Sequence, residues 1–212
     1  RANAWLELAL GTCFCSACLS RARTLGIAGP ALQARIQQRV RQYLAAPVDA
    51  SADQAQSWMG ADLLADPQWH AYHQMRQARV TEVVAAIRQA LPAPIALSVI
   101  PTTQRPTAAC WMEGTDLAAL AQVADHLEIP FYEPTAQRVG ADALDTCSRI
   151  PEALRHKVRA ILRPGPPDLG DGAELAQALR LLAQQGIRDW GFYNYGLLRK
   201  QHWQAVGNLL NR

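Results

Sequence analysis

The sequence predicts an α/β fold, the (βα)4 half of a TIM-type (β/α)8 barrel. Three observations lead there. Four short apolar runs, Ile95 to Arg105, Glu128 to Glu133, Val158 to Arg163 and Asp189 to Tyr195, each turn polar at their last residues. Segments of helical periodicity separate them, and the strand, loop, helix unit recurs at roughly thirty residues, the length that a parallel crossover needs. Half of the 212 residues are hydrophobic, enough for a real core. Four units are expected to form residues 95–212, and residues 1–94 a cysteine-cluster loop with helices, together the C-terminal half of one barrel domain. Half a barrel has two open edges and a bare inner face. The chain is therefore expected to be a fragment of a longer protein, completed by a missing N-terminal half, or to pair as a homo-oligomer.

In chain order, Ala4 to Leu10 is apolar enough for a buried strand or a short helix. Leu19 to Leu44 reads as helix, broken near Gly26 and Gly29-Pro30, with Leu32, Ile36, Val40 and Tyr43 on one face. Pro47 to Ser51 is a polar loop. A second helix is expected from Asp66-Pro67 to Ala90, with Trp69, Tyr72, Val80, Val83, Val84 and Ile87 inward. Pro92 and Pro94 stop it.

Ile95 to Ile100 has the continuous apolar character of a strand covered on both sides. A long loop, Pro101 to Gly114, leads to a helix opened by Thr115 and Asp116, with Leu117, Leu120, Val123 and Leu127 inward. Pro130 lies inside the second strand, where its missing N–H marks an irregularity. Glu174 to Gln185 is amphipathic and Gly186 closes it. Leu197 to Leu210 forms the last helix, with Leu198, Trp203, Val206, Leu209 and Leu210 on its buried side.

A formal charge of +3, with Lys and Arg dispersed, gives no basic stripe for nucleic acid. The sequence has neither a leader-like start nor an apolar run of about 18 residues, so a membrane partner is not expected. Five cysteines make an odd, sparse set, which points to a reducing, cytoplasmic setting.

In barrels the chemistry sits at the carboxyl ends of the strands. That rule selects Thr103, Gln104, Arg105, Tyr132, Glu133, Arg163, Asp168, Tyr193, Asn194 and Tyr195. Glu133, flanked by Tyr132 and Pro134, suits a general acid, base or nucleophile once burial shifts its pKa. The plainer alternative is a Glu that caps a helix or pairs with Arg163. Glu113, beside Trp111, is a second catalytic candidate, because an indole face stacks on a sugar ring; equally, Glu113 can favour the start of the next helix by its charge. Arg105 and Arg163 can clamp a hydroxyl-rich or anionic substrate, with Tyr132, Tyr193, Asn194 and Tyr195 as orienting groups.

Cys13-x-Cys15-x-x-Cys18 places three thiols within reach of one metal, a structural zinc or otherwise buried free thiols. A fourth ligand would come from Cys110, Cys147, His70, His73 or His126.

The cysteine cluster ahead of four βα units, with Phe131-Tyr132-Glu133 at a strand end, resembles the C-terminal half of glycoside-hydrolase-type (β/α)8 barrels. It is similar also to uncharacterised bacterial barrel proteins. Some β-galactosidases of that clan carry a similar cysteine cluster that binds zinc. The resemblance implies a small-molecule or oligosaccharide substrate and a pair of catalytic carboxylates, Glu133 being one and the other lying in a missing half or at Glu113. Two further readings stand beside it: a phosphate-binding aldolase or isomerase, suggested by the loop with Gly165, Gly170 and Gly172, and a non-catalytic sugar- or partner-binding barrel with structural zinc. Pro164, Pro166 and Pro167 remove N–H donors from that loop, which counts against a backbone phosphate cradle.

Overall fold

The computed structural model describes residues 3–194, 196 and 198–210, with the side chains of Leu209 and Leu210 outside the description. The chain forms two compact units, residues 1–79 with 112–114, and residues 80–111 with 115–212.

The first unit is helical. Helices α1 (Ala4–Gly11), α2 (Ser16–Thr24), α3 (Gly29–Ala45) and α4 (Ala52–Ala65) belong to it, with the start of α5 (Pro67–Ala90). Asn3 decides the first element in favour of helix, since its side chain accepts from the Leu6 N–H as an N-cap. The expected face of α3, Leu32, Ile36, Val40 and Tyr43, is buried. Trp5, Tyr43 and Trp58 meet edge to face, with ring centroids 5.6 to 6.1 Å apart, and the Trp5 indole donates to Asp62 at 2.7 Å. Helix α4 has no counterpart in the sequence reading. Its signal is Ser51-x-x-Gln54, a reciprocal capping box in which Ser51 accepts from the Gln54 N–H and Gln54 from the Ser51 N–H. Asp66 opens α5 as expected and also takes Arg35 at 2.7 Å.

The second unit carries a four-stranded, wholly parallel sheet in the order β1 (Ser98–Val99), β2 (His126–Pro130), β3 (Val158–Leu162), β4 (Asp189–Phe192). Helices α6 (Leu117–Val123), α7 (Ala136–Arg149), α8 (Gly172–Gln184) and α9 (Lys200–Leu210) follow β1 to β4 in turn, and each packs on the next. Alternation divides the sheet. Leu127, Ile129 and Phe131 of β2 and Val158, Ala160 and Leu162 of β3 are sealed in one core with Val139 and Ala143 of α7 and Leu175, Ala178 and Leu182 of α8. Glu128, Pro130, Arg159 and Ile161 point to the other, half-covered face. There Arg159 lies between Glu128 and Asp189 in register and pairs with both.

Three expectations need correction. The strand read as Ile95 to Ile100 and covered on both sides is a two-residue edge strand, with Ile95 47% and Ile100 57% exposed. Among the described residues it pairs with β2 alone, and Asp125 accepts from the Leu97 N–H at 2.7 Å where the chain bends in. Val83 and Ile87 of α5 are exposed rather than inward, and Leu127 lies in β2, not in the helix before it. Pro130 is accommodated because the Phe131 N–H bonds to Ile161 of β3, so the vacant N–H position of Pro130 faces β1, which has already ended at Val99. On α9, Val206 is buried and Trp203 packs on the core; the positions of Leu209 and Leu210 as core residues fall outside the described side chains. Among the described residues no helix is long and apolar enough to cross a membrane.

Helices α7 and α8 approach closely at Gly140, where an added Cβ would lie 2.9 Å from Leu181 Cδ1 and 3.2 Å from its Cβ. Replacing Gly140 with Val is expected to force the helices apart and cost about 1–3 kcal/mol, the usual penalty of overpacking, read as a lowered midpoint in urea unfolding. A midpoint equal to wild type would show that the contact has slack.

Candidate active site at the strand ends

The carboxyl ends of β2, β3 and β4 meet around one buried carboxylate. After β3 the chain makes a tight loop in which the Asp168 N–H bonds to the Gly165 carbonyl at 3.0 Å and the Gly165 N–H to the Leu169 carbonyl. Leu169 is driven into the core, which turns Asp168 inward, its side chain 2% exposed. Arg163 donates Nε to one carboxylate oxygen, and Arg105 donates to the other at 3.2 Å. Arg105 also donates to the Tyr132 carbonyl. Both guanidinium groups lie over the Tyr132 ring, at 5.2 Å for Arg105 and 4.9 Å for Arg163, and Tyr132 stacks on Tyr193 at 5.8 Å. Burial, then the neighbouring Tyr193, pushes the Tyr132 hydroxyl above the usual phenol range.

Arg105 sits on the β1–α6 loop, which a second buried acid holds. Asp142 of α7 accepts from the Thr107 N–H at 2.9 and 3.1 Å and from its hydroxyl at 2.8 Å. The loop is thereby ordered, with a 3₁₀ turn over Thr107–Glu113.

Beside this knot opens a cleft of about 620 Å3, lined by Arg105, Pro106, Tyr132, Glu133, Arg138, Asp142 and Asp145. Glu133 is buried in its wall and lies 3.9 Å from Arg138. Burial raises its pKa first and the Asp142 charge adds to this, against the opposing pull of Arg138 and Arg105. Asp142 is likewise raised by burial, against the hydrogen bonds from Thr107. Burial thus raises both carboxyls of the cleft wall. Arg163 does not pair with Glu133, as the plainer reading had it; Asp168 takes Arg163 instead.

Of the expected site residues, the structure gathers Arg105, Tyr132, Glu133, Arg163 and Tyr193 at these strand ends. Asn194 follows, its Oδ1 accepting from the Gly196 N–H at 3.1 Å; Tyr195 lies outside the described residues. Trp111 and Glu113 are not among the residues lining the cleft, and Glu113 groups with the first unit. Asp116, not Glu113, caps α6. Asp142 and Arg138 escaped the sequence reading. The signal for Asp142 is a lone acid on the apolar face of α7, between Val139, Ala143 and Thr146.

In the first unit the sulfur atoms of Cys13, Cys15 and Cys18 lie within 4.8 Å of one another, a grouping that could hold a metal ion. Cys15 precedes α2, and the Cys18 N–H and the neighbouring thiols lower its pKa to about 7. Burial and the hydrogen bond with Cys15 push Cys18 up to about 11. Tyr72 steadies the loop by donating to the Cys13 carbonyl at 2.8 Å and touching Phe14. Of the expected fourth ligands, Cys110 and Cys147 donate to the carbonyls of Thr115 and Gln185 within the second unit. His73 is buried on α5, which lowers its pKa to about 3.

No family model, curated protein or solved structure matches the chain significantly.

Arg105 is 41% exposed and its pair with Asp168 is screened by water, whereas Arg163, 26% exposed, carries more of the compensation. Changing Asp168 to Asn keeps the shape but leaves two guanidinium groups facing an amide, and is expected to cost about 1–3 kcal/mol, the cost of an unsatisfied buried group. Guanidinium unfolding of the two proteins measures it, and coincident curves would refute the role given to this carboxylate.

Proposed function

We propose that this protein is a carbohydrate-active hydrolase of glycoside-hydrolase type with Glu133 as proton donor. The observation that carries the reading is a buried carboxyl of raised pKa in a cleft at the carboxyl ends of parallel strands, with an aromatic ring and two arginines on its walls. In the reaction, protonated Glu133 gives its proton to the glycosidic oxygen as the bond to the anomeric carbon breaks. Arg105 and Tyr132 orient the sugar. A second carboxylate must attack the anomeric carbon or activate water. The other acids of the cleft are engaged, Asp142 by Thr107 and Asp145 by Arg149 at 2.7 Å, so the second carboxylate is contributed from elsewhere.

The sheet supports a source. Strands in sequential order, helices in sequential contact and a half-covered opposite face carrying Glu128, Arg159 and Asp189 are compatible with half of a (β/α)8 barrel. Strands paired to the free edges of β1 and β4, from an N-terminal half or from a second copy, would turn that face into a lumen and bring their own strand-end acids.

Changing Glu133 to Gln in the native assembly is expected to abolish release of aryl leaving groups from glycosides, and full activity would sink the reading. The same variant has a pH signature. A carboxyl whose folded pKa is raised supports the fold below its unfolded pKa, and that support is lost as pH rises through the folded value. Glu133→Gln should therefore match or fall below wild-type stability in acid and gain on it above the usual carboxylate range, followed by thermal melts across pH; a constant difference would contradict the sign.

We also propose that Cys13, Cys15 and Cys18 hold a structural zinc. Three adjacent sulfurs, one with a pKa near neutrality, suit a soft, thiolate-binding ion. Protein purified without chelator should carry about one zinc per chain, as one tetrahedral site implies. Changing Cys15 and Cys18 to Ser together should remove the metal and lower Tm; absence of metal in wild type would overturn the assignment.

A further inference from the structure

The five cysteines of the chain divide by environment. Cys110 and Cys147 are buried in the second unit, where each thiol donates to a carbonyl. Cys13 and Cys15 are exposed and Cys18 is half-buried, and the three sulfurs lie within 4.8 Å of one another. A small oxidant arriving from solvent therefore meets this loop before it meets either core thiol, and a sulfur that it oxidises has a second sulfur beside it.

The local fold chooses the pair. Cys15 immediately precedes α2 and Cys18 lies in its first turn, so the two are three residues apart at a helix start and share a face. The Leu19 N–H bonds to the Cys15 carbonyl at 2.9 Å and closes the turn between them. Helix α2 is firmly seated: at Gly29 of α3 an added Cβ would lie 2.8 Å from Leu19 Cδ2 and 3.5 Å from Ala22 Cβ. Cys18 is thus held within reach of Cys15. Cys13 is separated from Cys15 by Phe14 alone, and that residue is anchored, its ring 4.9 Å from Tyr72, whose hydroxyl also binds the Cys13 carbonyl. A bridge from Cys13 to Cys15 would have to close around this fixed residue, and disulfide geometry leaves little room for that.

We infer that Cys15 and Cys18 form a site of reversible oxidation, which closes to a disulfide when hydrogen peroxide reaches the loop. The exposed Cys15 sulfur attacks one peroxide oxygen; an S–O bond forms, the O–O bond breaks, and the departing hydroxide takes a proton to become water. Cys18 then attacks the sulfenic sulfur, so that the S–S bond forms, the S–O bond breaks and a second water leaves. Two electrons and two thiol protons pass to the peroxide, and a dithiol reductant returns them. Where the cluster holds zinc, the bridge withdraws two of three thiolates, and Cys13 alone does not retain the ion. That release rests on the zinc proposal above; the disulfide does not.

The test treats the full chain, as purified, with hydrogen peroxide, counts thiols after denaturation and maps them by alkylation before and after reduction with dithiothreitol. The count is expected to fall by two from five. Cys13, Cys110 and Cys147 should take the first label, and Cys15 and Cys18 the second. Cys13→Ser should still form the bridge, whereas Cys18→Ser should stop at a sulfenic acid on Cys15 that dimedone traps. The inference is overturned if the count stays at five, if Cys110 or Cys147 is consumed as readily, or if Cys18→Ser loses two thiols as the wild type does. Zinc followed in the same samples should leave in step with the bridge. A bridge in protein that carries no zinc would end the zinc proposal alone, and zinc retained with all thiols free would end this one alone.

Discussion

A carboxylate sealed from water must find its compensation where it stands, and Asp168 finds it in two arginines, one from the end of β3 and one from the loop after β1. Arg163 closes β3, Arg105 arrives from the loop after β1, and the Arg105 donor is shared with the carbonyl that ends β2. One charge thus fixes the relative positions of three strand ends. The Tyr132 ring seals the arrangement, since both guanidinium faces rest on it and Tyr193 covers it from β4. Loops that would otherwise be free to wander are held to a common centre, the condition under which strand-end side chains can act on one ligand.

That centre depends in turn on the division of the sheet. Residues at alternate positions of β2 and β3 are fully buried under α7 and α8, and hydrophobic burial of roughly 1.5–3 kcal/mol for each large side chain anchors the strands. The intervening residues are left on the other face, where the charges of Glu128, Arg159 and Asp189 compensate one another in register. Continued past the strand ends, the same alternation puts Tyr132, Arg163 and Tyr193 on the half-covered side and Glu133 opposite Tyr132. This is why Glu133 faces a cleft walled by α7, with Arg138 and Asp142, instead of the centre of the knot.

The parallel order of the strands and most helices were legible in the sequence because each rests on local signals: apolar runs, prolines that stop helices, Gly186 after α8. The β1 strand was overread because Ile95 and Ile100 have a central strand's composition, and composition does not reveal an edge. Helix α4 was missed although Ser51 and Gln54 announce it, since its weak amphipathicity hides the helical period. The strand-end rule selects Arg105, Tyr132, Glu133, Arg163 and Tyr193, and the structure places these side chains around the ends of the parallel strands. The rule could not tell which acid each arginine would choose. The partners of Asp142 and Asp168 lie 35 and 63 residues away for Thr107 and Arg105, and such pairings are set by tertiary packing alone.

Two cavities share the Asp168 knot. Arg105 and Tyr132 line the Glu133 cleft, while Arg163 and Tyr193 line a smaller cavity of about 330 Å3. Two guanidinium groups share one carboxylate, so the knot keeps one surplus positive charge. On the cleft side Glu133, Asp142 and Asp145 face that charge together with Arg138; on the other side no described acid does, and Arg199 adds to it. The cleft thus sets its arginines against acids, whereas the smaller cavity is lined by Arg163 and Arg199 with no described acid beside them.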